Sequence, residues 1–123
     1  MDAYDVQAEL LKALAHPVRL QIMDILRDGE QCVCHIEAVL GQRQSYISQH
    51  LMLLRKTGLV ADRKDGLRVY YSVRDPSVYA VLDVARSLVS RQAQKQSRVL
   101  SFALPKAGAE SCPCPKCGPA PAH

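Results

Sequence analysis

The chain has 123 residues, 48% of them hydrophobic and 23% charged, the size and make-up of one ordinary domain closed around one core. No run of 18 or more apolar residues occurs, and the opening MDAYDVQAELLK carries acids where an export signal needs basic and then apolar residues; no membrane is expected, and a cytoplasmic protein is. The net charge of +4 is unevenly spread: residues 1–42 carry three basic and seven acidic side chains, residues 43–98 eleven basic and four acidic, which suits a polyanionic partner.

Val6, Leu10 and Leu14 recur every four residues, so the chain opens with an amphipathic helix that ends before Pro17. Pro17 suits the first position of a second helix, in which Val18, Ile22, Ile25 and Leu26 form the apolar stripe and Gly29 the stop. Val33, Ile36 and Leu40 line a very short third helix closed by Gly41. A fourth spans Gln42–Lys56, with Ile47, Leu51 and Leu54 on its buried side and Gly58 beyond its end. The period then changes. Leu59–Asp62 and Arg68–Val73 are β-rich and flank Lys64-Asp65-Gly66, a hairpin signal that predicts a two-stranded ribbon. Asp75-Pro76 reads as the N-cap and first position of a last helix, which carries Val78, Val81, Leu82, Ala85, Leu88 and Val89 and runs to about Ser97. Past Leu104 the composition turns to Pro, Ala, Gly and Cys. We therefore divide the chain into a folded unit, 1–104, and a Cys/Pro-rich tail, 105–123, expected to be flexible.

Short helices joined by a Gly-containing turn and followed by a basic hairpin specify a mainly α winged helix-turn-helix with α-α-α-α-β-β-α order, which lays one helix in the DNA major groove. That helix is the fourth. Ser45, Tyr46, Ser48 and Gln49 near its start are the base-reading candidates, because small hydroxyls and amides match base edges and phosphates. Arg43 at the same end, with Arg63, Lys64 and Arg68 around the hairpin tip, would meet phosphates or a minor groove. Helical phase swings His50 toward the buried side, so it is a packed, phosphate-contacting or base-reading histidine. Tyr70 and Tyr71 alternate across a strand, and at least one belongs to the core.

The five cysteines fall into two tight groups, unlike the dispersed even set of a disulfide-stapled domain, and are expected as free thiols in a reducing compartment. Cys32-Val33-Cys34 offers paired soft ligands for a thiophilic ion. On a regular helix these positions point about 200° apart, so joint ligation requires the helix start to loosen. Cys112, Cys114 and Cys117 supply three more sulfurs, either completing that site or standing as an incidental appendage. His35 either lends a nitrogen or faces solvent.

The stretches LKALAHPVRLQIMDIL, QCVCHI, SYISQHLMLLRKTGLV and RKDGLRVYYSV, together about Leu10 to Val89, resemble the ArsR/SmtB (arsenic-repressor) family of metalloregulatory winged-helix repressors. The resemblance implies a homodimer built through the first and last helices, sitting on double-stranded operator DNA and leaving it when a toxic ion binds. It also carries the inducer-ligand role onto Cys32 and Cys34, with As(III) or Sb(III) ahead of Cd(II) or Pb(II). The family's arsenic sensors often place a further cysteine where this chain has Glu37. Its cadmium/lead sensors recruit an N-terminal cysteine, which this chain lacks before Cys32; Cys112, Cys114 and Cys117 are the remaining thiol source.

The leading expectation is a repressor released by a thiophilic ion, and not an enzyme. Within the same fold the alternative is a redox or reactive-sulfur sensor, pairing Cys32 or Cys34 with a tail cysteine. From another class, a metal chaperone or a thiol-disulfide enzyme around Cys114–Cys117 would leave the basic helix and hairpin unexplained.

Overall fold

The computed structural model describes residues 2–105, in the order α1 (Ala3–Leu14), α2 (Pro17–Ile25), a 3₁₀ turn (Leu26–Asp28), β1 (Gln31–Cys32), α3 (Val33–Leu40), α4 (Gln44–Lys56), β2 (Val60–Asp65), β3 (Arg68–Val73) and α5 (Val78–Lys95). Asp2 and Asp5 form a reciprocal capping box at the start of α1. Pro17 takes the first position of α2, as expected, and the His16 ring caps that helix by accepting the Val18 N–H through Nδ1 at 3.0 Å. Gly41 ends α3 in the left-handed conformation, at φ 63°.

In α2, α3 and α4 the core follows the predicted stripes, and Met23 joins it from outside them. Ile22 and Met23 of α2, Ile36 of α3, and Ile47, Leu51 and Leu54 of α4 are completely buried, joined by Val60 and Tyr71 from the sheet. Tyr79 of α5 closes one side: Arg27 lies 4.5 Å over its ring, and its hydroxyl donates to the Met23 carbonyl at 2.7 Å. Burial pushes that hydroxyl's pKa up to about 12.

Several details differ from the sequence reading. The expected two-stranded ribbon is a three-stranded antiparallel sheet in the order β1-β3-β2, because Gln31 and Cys32 pair with Tyr71 and Tyr70. Two residues cannot display a period of two, so nothing local announces this strand. Arg43 is an extended N-cap, which moves the start of α4 to Gln44. Asp75 caps a turn rather than the last helix: its carboxylate accepts the Ser77 N–H at 2.9 Å, and α5 proper begins at Val78. The apolar stripes of the outer helices are also largely uncovered. In α1, Val6 is 56% exposed and burial is confined to Ala13 and Leu14; in α5, Val84 is 66% exposed, and Val81, Leu88 and Val89 are open as well.

Candidate DNA-contact surface and sulfur pair

The first turns of α4 form an open face. Arg43, Ser45, Tyr46 and Gln49 are exposed there and Ser48 is half-buried, so the structure groups these sequence candidates on one helix end. His50 belongs elsewhere. It is 8% exposed, its ring lies 4.4 Å from His16 and edge-on to Tyr46 at 4.8 Å, and its Nδ1 is 3.0 Å from the Arg19 guanidinium. Arg19 also donates to the Ala13 and Lys12 carbonyls at the end of α1. His50 thus takes the packed alternative, tying α4 to α2 and α1. Its Nε2 is buried without a hydrogen-bond partner among the described residues, and burial first, then the His16 and Arg19 charges, hold its pKa below the ordinary histidine value.

The hairpin cations are not equivalent. Lys64 is exposed, next to the Gly66-Leu67 tip at which Leu67 stands fully in solvent. Arg63 is engaged: it makes two bonds to the Glu30 carboxylate, at 2.7 and 3.0 Å, and lies 4.7 Å over the Tyr70 ring. Arg68 turns inward, its Nη1 3.7 Å from Cys34 Sγ. Tyr70 and Tyr71 are both buried, Tyr71 in the main core and Tyr70 in a small cluster with Cys32.

Cys32 and Cys34 are brought together, but not by a loosened helix. Cys32 ends β1 and is the extended N-cap of α3, at φ −75° and ψ 156°, while Cys34 lies in the first turn; their Cα atoms are 5.3 Å apart. Because Cys32 is outside the helix, the opposed directions expected for i and i+2 do not apply. The sulfurs are joined to each other as a disulfide, which corrects both the expectation of free thiols at this pair and the alternative in which one of them pairs with a tail cysteine. Cys32 is 1% exposed, and its sulfur accepts the His35 N–H at 3.1 Å. His35 is half-buried rather than solvent-facing, and burial lowers its pKa. Burial likewise raises the pKa of Glu37. Among the described residues no group of three His, Cys, Asp or Glu side chains is gathered for a metal ion. Cys112, Cys114 and Cys117 lie outside the described residues.

One cleft of about 270 Å³ joins these parts. Cys32, Cys34 and Glu37 line it from β1 and α3, Gln44 and Ser48 from α4, and Arg68 and Tyr71 from β3. Sequence reasoning placed the sulfurs and the reading helix in separate motifs. The packing of α3 on α4 brings Gln44 and Ser48 to the sulfurs, and the pairing of β1 with β3, for which no local signal exists, adds Arg68 and Tyr71.

Residues 16–62, which span α2 to the first half of β2, match the family described as bacterial regulatory protein, arsR family. The HTH-type transcriptional regulator Rv0081 of Mycobacterium tuberculosis is 36% identical over 98 residues, 79% of this chain and 86% of that protein. This chain belongs to the arsR family. The crystal structure of Rv0081 covers 79% of this arsR-family chain and 98% of its own, with a TM-score of 0.71 and 34% identity. The arsenical resistance operon repressor of Escherichia coli is 48% identical over 64 residues, 51% of this chain and 55% of that repressor. A homodimeric winged helix-turn-helix DNA-binding domain, Mb0332 from Mycobacterium bovis, aligns with a TM-score of 0.63 at 34% identity, over 68% of this chain and 81% of that domain. The protein is therefore a transcriptional regulator of the arsR family with a winged helix-turn-helix fold. Among the described residues no helix is long and apolar enough to cross a membrane.

Proposed function

We propose that the chain is a repressor that binds operator DNA as a homodimer and is released when a thiophilic ion, arsenite or antimonite ahead of Cd(II) or Pb(II), is held by reduced Cys32 and Cys34. The observation that carries this reading is that Cys32 sits on a strand of the hairpin's own sheet, opposite Tyr70, while both sulfurs line a cleft with Gln44 and Ser48 of α4. A ligand at the sulfurs therefore touches both elements that would meet DNA. The donor chemistry fits: thiolates are soft ligands, and two of them converge from neighbouring backbone segments. A third ligand would come from Cys112, Cys114 or Cys117 of the tail, 105–123, or from a bound oxygen. The uncovered faces of α1 and α5 supply the dimer contact, and Arg43, Lys64, Ser45 and Gln49 the phosphate and base contacts.

By linkage, an ion that favours the DNA-free form weakens DNA binding by the factor with which DNA weakens the ion, typically about 5- to 150-fold. Gel shift of reduced protein on its promoter fragment, with and without arsenite, tests the proposal. Release by arsenite in the parent and its loss in Cys32→Ser and Cys34→Ser are expected, and unchanged release in both variants would overturn the site.

The sulfur–sulfur bond favours a second reading, a thiol-redox repressor in which oxidation of this pair releases DNA. Peroxide or polysulfide would then release the promoter fragment where arsenite does not. The relatives are transcriptional regulators, which argues against an enzyme or a metal chaperone.

A further inference from the structure

We infer that Arg68 is the latch between the sulfur pair and the DNA-contact elements, an inference that rests on the pair being the effector site. Arg68 opens β3 directly after the exposed Gly66-Leu67 tip, yet its guanidinium points back to within 3.7 Å of Cys34 Sγ. It is half-buried, in the wall of the cleft that also holds Cys32, Gln44 and Ser48. Of the hairpin cations in question, Arg63 is drawn to Glu30 and Lys64 stands in solvent, so Arg68 is the one that reaches the sulfurs.

The same space cannot serve both partners. Cys32 is buried against Tyr70, so an ion on the two sulfurs must carry its remaining ligand into the cleft, toward Arg68, Gln44 and Ser48. Cys34 Sγ then gives its lone pairs to the ion, and the guanidinium gives up its contact with that sulfur and its room in the cleft. Displacing the Arg68 guanidinium releases the contact by which the first residue of β3, the strand that pairs with both β1 and β2, is held to the sulfur pair. The hairpin and the start of α4 thereby change their spacing together, whereas a two-groove contact with DNA requires that spacing to be held. For arsenite the exchange is balanced without further oxidation or reduction: As(OH)₃ gives up two hydroxides for two sulfurs, and the thiol protons leave with them as two waters. The disulfide must first be reduced: a phosphine gives two electrons and leaves as its oxide, and the water that supplies the oxygen supplies the two thiol protons.

The test uses the reduced full chain, arsenite alone as the ion, and a duplex selected by the parent protein from a random pool. Sulfur-to-arsenic absorbance in the near ultraviolet reads ion uptake, and fluorescence anisotropy reads DNA affinity with and without arsenite. In the parent, arsenite is expected to lower DNA affinity by about tenfold or more. Without arsenite, Arg68→Met should bind DNA more weakly than the parent, close to the parent's arsenite-bound affinity, and take up arsenite with a midpoint within about threefold of the parent, while its arsenite-induced loss shrinks below about threefold. Arg68→Lys, which keeps a cation on a long stem, should recover part of that loss. Equal arsenite-induced losses in Arg68→Met and the parent would overturn the latch. Absence of both absorbance and DNA release in the parent would overturn the sulfur site itself and the latch with it, a result seen before any variant is made.

Discussion

Cys32 lies directly opposite Tyr70 across the β1–β3 pair, and the Tyr70 ring is covered by Arg63, which in turn bonds Glu30 at the entrance to β1. Strand, ring and ion pair form one closed circuit around a buried sulfur. A thiol placed there is a structural member of the hairpin, so changing what the sulfur binds is a change in the sheet. That local fact separates this site from a cysteine pair on an isolated loop.

Removing the amide of Gln49, exposed on the open end of α4, should relax base preference at one operator position, a loss of about 1–3 kcal/mol of discrimination for Gln49→Ala. Lys64→Ala should weaken binding uniformly across sequences and reduce the salt slope by about one. Arg63→Ala should reduce that slope less, because Glu30 already engages its guanidinium. Anisotropy titrations at several salt concentrations, on the selected duplex and on single-base variants, read all three.

The pH dependence has a definite sign. The surroundings of His50 hold its pKa below 6.5, burial contributing most and the His16 and Arg19 charges adding to it. The unfolded chain therefore takes up a proton that the folded chain refuses, so stability is full above about pH 6.5 and is lost as pH falls through the folded value. His35 acts in the same direction through burial. Thermal midpoints at about pH 7.5 and 5.5 should show a smaller acid-side drop in His50→Gln than in the parent, since glutamine can accept from Arg19 without titrating. An undiminished drop would remove His50 from the account.

Val84 is 66% exposed midway along α5, on the face that also carries Val81 and Leu88. A charge there should prevent a second copy from covering the face, so Val84→Asp should sediment as a monomer where the parent sediments as a dimer, and DNA affinity should fall with it. A parent that sediments as a monomer at micromolar concentration would contradict the dimer.

Leu51 of α4 is completely buried, whereas its neighbour Met52 is 57% exposed. Leu51→Ala should cost about 2–5 kcal/mol through lost burial and the cavity it leaves, and Met52→Ala about 0.5 kcal/mol or less. Urea denaturation at fixed protein concentration measures both; comparable losses would mean that α4 does not pack as described.

The sequence by itself determined the helices, their buried stripes and the basic hairpin, because each depends on contacts a few residues apart that repeat often enough to leave a period. Ile47, Leu51 and Leu54 announce the inner side of α4, and their spacing leaves Ser45 and Gln49 outward. It also placed two cysteines at the start of α3, but as opposed positions of a helix; the extended backbone of Cys32 is what brings the sulfurs together. Tertiary structure decided what those sulfurs touch. The Gln31–Cys32 strand, the inward turn of Arg68 and the tilted packing of His50 against His16 join residues about 30 or more positions apart. Such pairings are chosen by the packing of whole elements, and no local pattern encodes them. The α1 and α5 stripes fall between the two cases: their periodicity is legible in the chain, but what covers them is not, since a single chain leaves them largely open to water.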